Sequence, residues 1–358
     1  MSPTTPTPTR VRRRFRDPRL WVGIAITVAT LALAARGVDF RTLLHDLSRA
    51  NLPVLIGLSV PSYLLTIWVR ALRWRHLTNP VCDGSRGALF RATAVGTFAN
   101  NVFPLRIGEV VRAFYLARET RARTAALFGT IVLERGIDGI MVLAMALVIF
   151  GARGGSDDGA LAVGIPLLAG AALPLAAVVW LRVAPDQVVR VTRAVLGSMG
   201  GRGTAPVEQL IRQMAEGLGS LRGGRHLWWV AWHSVVIWTV LGVAPFLAAM
   251  LSLGIDLGSF ERNLSAAFVT LTAVGIAVAL PSAPGFVGPY HLAAREALRR
   301  FGVNEELALA LATLSHAVFW FTTSALGLAV LRYRGTRLNE LADAASTDAD
   351  QVPSPGRR

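Results

Sequence analysis

The chain has 358 residues, of which 53% are hydrophobic and 16% charged, and its mean hydropathy is +0.48. Soluble domains carry about 25% charged residues, so the composition excludes an ordinary soluble domain and indicates a polytopic helical membrane protein. The net charge of +15 does not indicate nucleic acid, because the arginines flank apolar segments as the positive-inside rule expects. The single cysteine, Cys82, excludes a disulfide framework and a cysteine metal cluster.

The first quarter of the chain predicts a basic tail followed by two apolar helices. Residues 1–19 are Thr/Pro-rich and basic, and we expect them to be disordered and cytoplasmic. The first helix is predicted over 20–36, followed by a loop of mixed charge over 37–50 on the outer side. The second helix is predicted over 51–72, with a kink at Pro61.

A tryptophan among arginines follows the second predicted helix. Trp74 lies between Arg73 and Arg75 and four residues after Arg70. One interpretation is an interfacial anchor at a cytoplasmic boundary. The other is contact with lipid head groups, and the pattern leaves both open.

The next apolar stretch, 87–104, is short and ends in Asn100, Asn101 and Pro104. A full span is one interpretation. A re-entrant half-helix is favoured, because irregular backbone at membrane depth is tolerated only where it lines a cavity.

The rest of the chain predicts further spans and a second broken segment, giving six to eight transmembrane helices with two re-entrant breaks. A basic amphipathic segment, 185–225, suits either the cytoplasmic membrane surface or the protein's own cytoplasmic face. The tail 333–358 is expected to be disordered. The predicted spans are 124–151, 160–182, 227–253 and 305–331, and the broken segment is 263–304.

A short internal repeat links the two breaks. Thr93-Ala94-Val95-Gly96 recurs as Thr272-Ala273-Val274-Gly275, and each copy leads into a proline-containing break and then a long apolar helix. Three full spans between the copies would give them opposite orientation. That arrangement is an inverted repeat, which many transporters use to build a site near the bilayer midplane.

Charged residues after the first break are the main candidate site. Glu109 and Arg112 share a helical face by their spacing, and so do Glu134 and Asp138 within a long apolar helix. Charges at membrane depth are costly and usually face a partner or a wet cavity. Together with Arg106 they predict either a phosphate-binding set or a structural salt-bridge network, and both remain open.

The second break supplies Pro284, Gly285 and Gly288, followed by Tyr290 and His291. Broken helices expose N–H groups that bind anions, although a simple turn is the alternative. His291 suits proton coupling or a structural hydrogen bond.

Enzyme signatures are absent from the sequence. It contains no nucleotide-binding glycine-rich loop, no HExxH and no nucleophile–base set, so we expect no catalytic residues, no metal and no cofactor.

Three motifs together resemble the lysylphosphatidylglycerol synthase transmembrane-domain family, a flippase-like membrane domain. They are Phe103–Arg112 (FPLRIGEVVR), Glu134–Asp138 (ERGID) and Pro281–Gly288 (PSAPGFVG). The resemblance covers about residues 20–332. The chain departs from the family pattern Pro-Gly-Gly-x-Gly-x-x-Glu at Phe286 and at His291, which stands where the Glu would be.

The resemblance implies movement of an aminoacylated phosphatidylglycerol or related polar lipid between leaflets. We expect a stand-alone member without the soluble aminoacyl-transferring domain, in a bacterial inner membrane, with both termini cytoplasmic. The predicted function is a flippase for an anionic, aminoacylated or polyprenyl-phosphate-linked lipid, and homo-oligomerisation is compatible with it. The alternative is a non-catalytic membrane partner of a glycosyl- or aminoacyl-transferase. The predicted binding residues are Arg106, Glu109, Arg112, Asn100, Asn101, Glu134, Arg135, Asp138, Pro284, Gly285, Gly288, Tyr290 and His291.

Overall fold

A computed structural model describes most of the central part of the chain, and every regular element in the described residues is helical. The described residues are 18–103, 106–152, 176, 180–181, 183–198, 205–218, 224–278 and 284–336. The predicted span 160–182 and both predicted tails therefore lie largely or wholly outside them.

The chain begins with a bent pair of helices, α1 (Pro18–Ala35) and α2 (Phe40–Arg49), which meet at 88°. The predicted loop 37–50 was wrong, because most of it is helix α2. Asp39 starts this helix, since its carboxylate accepts the Arg41 N–H at 2.9 Å. In α2, Leu43 is buried while Leu44 is exposed, so the helix is amphipathic.

Helix α3 (Leu52–Thr78) is longer than predicted. Asn51 caps its start by accepting the Val54 N–H at 3.2 Å. The chain has no stop signal until Asn79 and Pro80, so the helix continues past 72. The arginines at the predicted boundary consequently lie within the helix.

Two runs of helices follow the same order: a long helix, a shorter helix, a break, a short helix and a long helix. The first run is α3, α4 (Arg86–Val102), α5 (Gly108–Thr120) and α6 (Thr124–Ala152). The second run begins with α9 (Gly224–Val235), a π-helical turn (Val236–Leu241) and α10 (Ala244–Ser252), then α11 (Phe260–Ala277), a 3-10 turn (Pro284–Phe286), α12 (Pro289–Arg299) and α13 (Glu305–Tyr333).

The long helices that open the two runs are antiparallel. Asn51, before α3, donates its N–H to the Ser252 carbonyl at the end of α10 at 2.8 Å. At the other end, His76 and His226 bring their Nδ1 atoms to 3.2 Å. The segments after these helices, 79–85 and 253–259, therefore lie at opposite ends of the bundle.

Two helices, α7 (Pro185–Ser198) and α8 (Ala205–Leu218), occupy the predicted amphipathic segment. Helix α8 packs on α6 so closely that a Cβ on Gly129 would lie 2.5 Å from the Met214 carbonyl oxygen. Ile211 and Met214 join the core formed by α3–α6. Of the two interpretations of this segment, the structure shows packing on the protein itself.

By length and composition, three helices are suited to cross a membrane within the described residues. They are Leu52–Thr78, Arg225–Ser252 and Glu305–Tyr333, and the bent α1–α2 pair would make a fourth. The described part of the chain is therefore all-helical with several apolar helices, while the total of six to eight spans stays a prediction.

Candidate site: a buried arginine–carboxylate cluster beside a cavity

Two acidic residues of α6 form the centre of the candidate site. Glu134 and Asp138 lie one turn apart, and their side chains are 0% and 8% exposed. Arg73 of α3 bonds both, with Nη2 donating to Glu134 at 3.0 Å and Nη1 donating to Asp138 at 2.7 Å. Arg73 also donates to the Ser234 hydroxyl at 3.0 Å, so α3, α6 and α9 meet at this guanidinium.

Glu134 accepts hydrogen bonds from arginines on three helices. Besides Arg73, Arg112 of α5 donates at 3.2 Å and Arg135 of α6 at 3.0 Å. The Arg112 guanidinium also lies 3.9 Å above the ring of Trp74, a cation–π contact. Spacing predicted that Glu109 and Arg112 share a face, but Arg112 turns towards Glu134.

Asp138 has its own set of donors. Trp238, in the π-helical turn, donates its indole N–H at 2.9 Å. Arg135 lies 2.9 Å from the other carboxylate oxygen, and Arg70 lies 3.8 Å from it. The turn thereby places an aromatic side chain from the second run against a carboxylate of the first.

Arg106 connects the two breaks. Its Nη1 donates to the Val278 carbonyl at the end of α11 at 3.0 Å, and its Nη2 donates to Glu109 at 3.1 Å. The guanidinium also lies 5.6 Å from the ring of Phe286. Arg106 has a φ of +56°, a left-handed conformation that is uncommon for a residue other than glycine.

The two asparagines of the first break have different contacts. Asn100 accepts the Gly108 N–H at 2.9 Å and so closes the turn between α4 and α5. Asn101 donates to the hydroxyls of Thr323 and Ser324 at 2.9 and 3.0 Å, which attaches α4 to α13. Both amides also line the cavity described below.

The second break is held by α13 and α1. The Gly285 carbonyl lies 2.7 Å from Nε2 of His316, and the Tyr290 hydroxyl lies 3.0 Å from that of Ser315. Gly288 packs against α1, since a Cβ there would lie 2.4 Å from a threonine hydroxyl. His291 is buried with its ring 5.0 Å from that of His316. Pro284 begins the 3-10 turn.

A cavity of 250 Å³ lies between the two runs of helices. Of the predicted residues, Asn100, Asn101, Arg106, Arg135 and Tyr290 line it, whereas Arg112, Glu134 and Asp138 lie behind its wall. Most of the wall is apolar or aromatic. The described lining contains three arginines and no carboxylate. The arginines are Arg70, Arg106 and Arg135.

Sequence reasoning missed Arg70 and Arg73 as site residues and interpreted Trp74 as either an interfacial anchor or a contact with lipid head groups. Trp74 is instead fully buried, and its N–H bonds the Thr130 hydroxyl at 2.9 Å. The missing stop signal before Asn79 could have placed these residues inside the helix. Nothing in the sequence indicated the contact of Trp238 with Asp138.

The model of the family described as "Lysylphosphatidylglycerol synthase TM region" matches residues 20–327. This match covers most of the chain and includes α1–α12 and most of α13. The chain belongs to this family.

Two curated proteins are similar to this chain. The chain is 27% identical over 335 residues to the Haloferax volcanii protein named Glycosyltransferase AglD, an alignment that covers 86% of this chain and 53% of the relative. It is 30% identical over 129 residues to a UPF0104 membrane protein of Methanothermobacter thermautotrophicus, covering 35% of this chain and 38% of the relative. No solved structure matches. The chain thus spans about half of the first relative's length and less of the second's.

Proposed function

We propose that this family member moves an anionic lipid between membrane leaflets and catalyses no covalent change. The observation that carries the proposal is the cavity, whose described wall combines three arginines with a mainly apolar surface. Arginine binds phosphate through paired N–H donors, and an apolar wall suits a lipid chain. At 250 Å³, the cavity is smaller than most small-molecule pockets of about 300–1,000 Å³, so it accommodates a head group and leaves the tails in the bilayer.

The two runs of helices suggest how the site would open alternately. Their equal order and the antiparallel packing of α3 against α9–α10 support an inverted repeat. In transporters built this way, one repeat rocks against the other around a site at their interface. Here the cavity is lined from both runs, and the Arg106–Val278 bond would be one contact that changes during rocking.

Charge at the two ends of the bundle supports one orientation of the protein across the membrane. The end containing 79–85 and the start of α9 is mainly basic, whereas the opposite end has mixed charge. The positive-inside rule assigns the basic end to the cytoplasm. Both termini are assigned to that side, because α13 ends there and α1 ends at the opposite end, where Arg295 donates to the Leu33 and Arg36 carbonyls. The basic end carries Arg75, Arg86, Arg91, Arg118, Arg121, Arg123, Arg225, Arg332 and Arg334.

The proposal is tested by lipid movement in liposomes. Purified protein is reconstituted with head-group-labelled phosphatidylglycerol or a labelled polyprenyl phosphate, and loss of outer-leaflet label is followed. We expect movement by the wild type and at least a tenfold loss in Arg106→Gln, because one charge-assisted contact is removed. Arg262→Gln, at an exposed arginine of α11, is the matched control. Absence of movement of every lipid by well-folded protein would refute the transport function.

A second candidate is a membrane partner of a transferase that acts on lipid. The observation in its favour is the similarity over 86% of this chain to a protein named as a glycosyltransferase. Co-purification of the tagged protein from its native membrane distinguishes the two candidates. A stable complex with a transferase, whose activity on a lipid acceptor falls when this protein is deleted, would favour the partner role.

A further inference from the structure

The candidate site carries unbalanced charge. The site residues that form its ion pairs are five arginines and three carboxylates, a formal excess of two positive charges in the described part of the site. The positive charges are Arg70, Arg73, Arg106, Arg112 and Arg135, and the negative charges are Glu109, Glu134 and Asp138. An uncompensated excess at membrane depth is costly, so a bound anion would stabilise the site.

All three carboxylates of the site form ion pairs with arginines. Glu134 and Asp138 lie behind the cavity wall and accept from buried guanidinium and indole groups. Glu109 lies 3.1 Å from Arg106 and 3.9 Å from Arg135. An ammonium group on a ligand in the cavity would find no carboxylate on the described wall and would face three arginines.

The arginines at the wall differ in how firmly they are held. Arg106 donates to a carbonyl and a carboxylate, and Arg135 donates to Glu134 at 3.0 Å. Among the described residues, the Arg70 guanidinium has a single long ion pair, 3.8 Å from Asp138. Its guanidinium is therefore the one on the wall that is best placed to turn towards a ligand.

From this charge balance we infer that the cavity selects a head group with two negative charges, a phosphomonoester on an apolar chain. It would discriminate against monoanionic phosphodiesters and aminoacylated lipids. This inference rests on the proposed function only for the lipid nature of the ligand. Two unpaired charges on the protein match two on a phosphomonoester, and forked arginines match its oxygens.

The inference is tested by competition binding in nanodiscs, without any transport step. A fluorescent prenyl monophosphate is displaced by unlabelled prenyl monophosphate, by its methyl phosphodiester on the same chain, by phosphatidic acid, and by aminoacylated phosphatidylglycerol. We expect the monophosphate to compete at least about tenfold better than its methyl ester, since the ester loses one charge and its contacts. If the cavity binds only the head group, phosphatidic acid should compete with the probe about as well as the prenyl monophosphate. Inorganic phosphate tests a free-phosphate source and should compete far more weakly than either lipid.

Arg70 provides the variant test. Arg70→Gln should lower the ratio of monophosphate to methyl-ester affinity towards one, whereas Arg70→Lys should retain most of it. Arg262→Gln should leave the ratio unchanged. Because the ratio compares two ligands on one protein sample, a partial loss of folded protein cannot produce the change.

Several outcomes would overturn the inference. It would be wrong if the monophosphate and its ester bound with equal affinity, if the aminoacylated lipid bound more tightly, or if no lipid displaced the probe. Inorganic phosphate that competed as well as the lipids would show that the ligand need not be a lipid. If only the proposed function is wrong, the result differs: the protein shows the expected binding preference in nanodiscs but does not move lipid in liposomes. Movement of an aminoacylated lipid without that preference would refute the inference alone.

Discussion

Glu134 is the residue on which three helices of the site converge. It is fully buried and accepts from Arg73, Arg112 and Arg135. Breaking a buried ion pair by removing one partner costs about 3–5 kcal/mol, because a charge is left without compensation.

We therefore expect Glu134→Gln to lower stability strongly, by about 3–5 kcal/mol, and to lower the melting temperature in detergent. The matched control is Glu296→Gln, which removes a carboxylate from the exposed pair with Arg299. Exposed pairs contribute little, so this control should melt near the wild type. Equal melting of both variants would contradict the importance of the buried cluster.

Trp74 and Trp228 are tryptophans of contrasting environments near the same end of the bundle. Trp74 is 0% exposed and bonds Thr130, whereas Trp228 is 63% exposed. Trp74→Ala should destabilise by about 3–5 kcal/mol, as removal of a large buried side chain does, and Trp228→Ala should cost far less. Chemical or thermal unfolding of the two variants measures the difference. A similar cost for both would indicate that Trp74 behaves as an interfacial residue.

At the residue scale, the sequence predicted which charged residues belong to the site better than it predicted which residues they contact. It identified Glu134, Asp138, Arg106 and Arg135 as charges that need an explanation at membrane depth. It did not identify Arg73, because the partner of a buried charge depends on which helices meet. That information is tertiary and has no local pattern.

At the scale of elements, the α4–α5 turn depends on a close approach of backbones. A Cβ on Gly108 would lie 2.0 Å from the Gly96 carbonyl oxygen, so no side chain fits there. Gly96 is the glycine of the repeated Thr-Ala-Val-Gly motif, and its close contact with Gly108 gives it a packing role.

Gly108→Ala should therefore destabilise the protein and separate α4 from α5. Gly57→Ala is the matched control, because a Cβ at this position of α3 meets nothing within 4 Å. Alanine is favoured over glycine within helices by about 1 kcal/mol, so the control should be neutral or slightly stabilised. Melting temperatures in one detergent compare them. A stable Gly108→Ala protein would show that the turn can open without cost.

Elements were predictable where apolar length or cap residues mark them. The spans at α6 and α13 begin and end within two residues of the predictions 124–151 and 305–331. The prediction of a loop at α2 was wrong because mixed charge is not specific to loops, and the Asp39 cap and the amphipathic pattern indicate a helix. The π-helical turn has no sequence signal at all.

For the whole molecule, the opposed runs of helices predict on which side of the membrane each connection lies. Cys82 lies in segment 79–85 and Asp256 in segment 253–259, at opposite ends of the bundle. In intact cells, a membrane-impermeant thiol reagent should label Asp256→Cys, made in a Cys82→Ser background, and should not label Cys82.

Cell lysis provides the control, because Cys82 should become labelled when both faces are accessible. Burial raises the pKa of the Cys82 thiol and so lowers its thiolate fraction at neutral pH, and labelling is therefore run at a mildly alkaline pH of about 8. Labelling of both sites in intact cells, or of Cys82 alone, would contradict the orientation.

The distance along the chain between Arg73 and its partners has a consequence for biogenesis. Glu134 and Asp138 follow Arg73 by 61 and 65 residues. At a synthesis rate of about 5–20 residues per second, the carboxylates emerge roughly 3–13 s after the arginine. During that interval neither of the two carboxylates that Arg73 bonds in the folded protein has been synthesised, so its guanidinium is expected to remain near the interface. Helix α3 then reaches its final depth only when α6 supplies its carboxylates, and the order of membrane integration is set by the same ion pairs that hold the mature site.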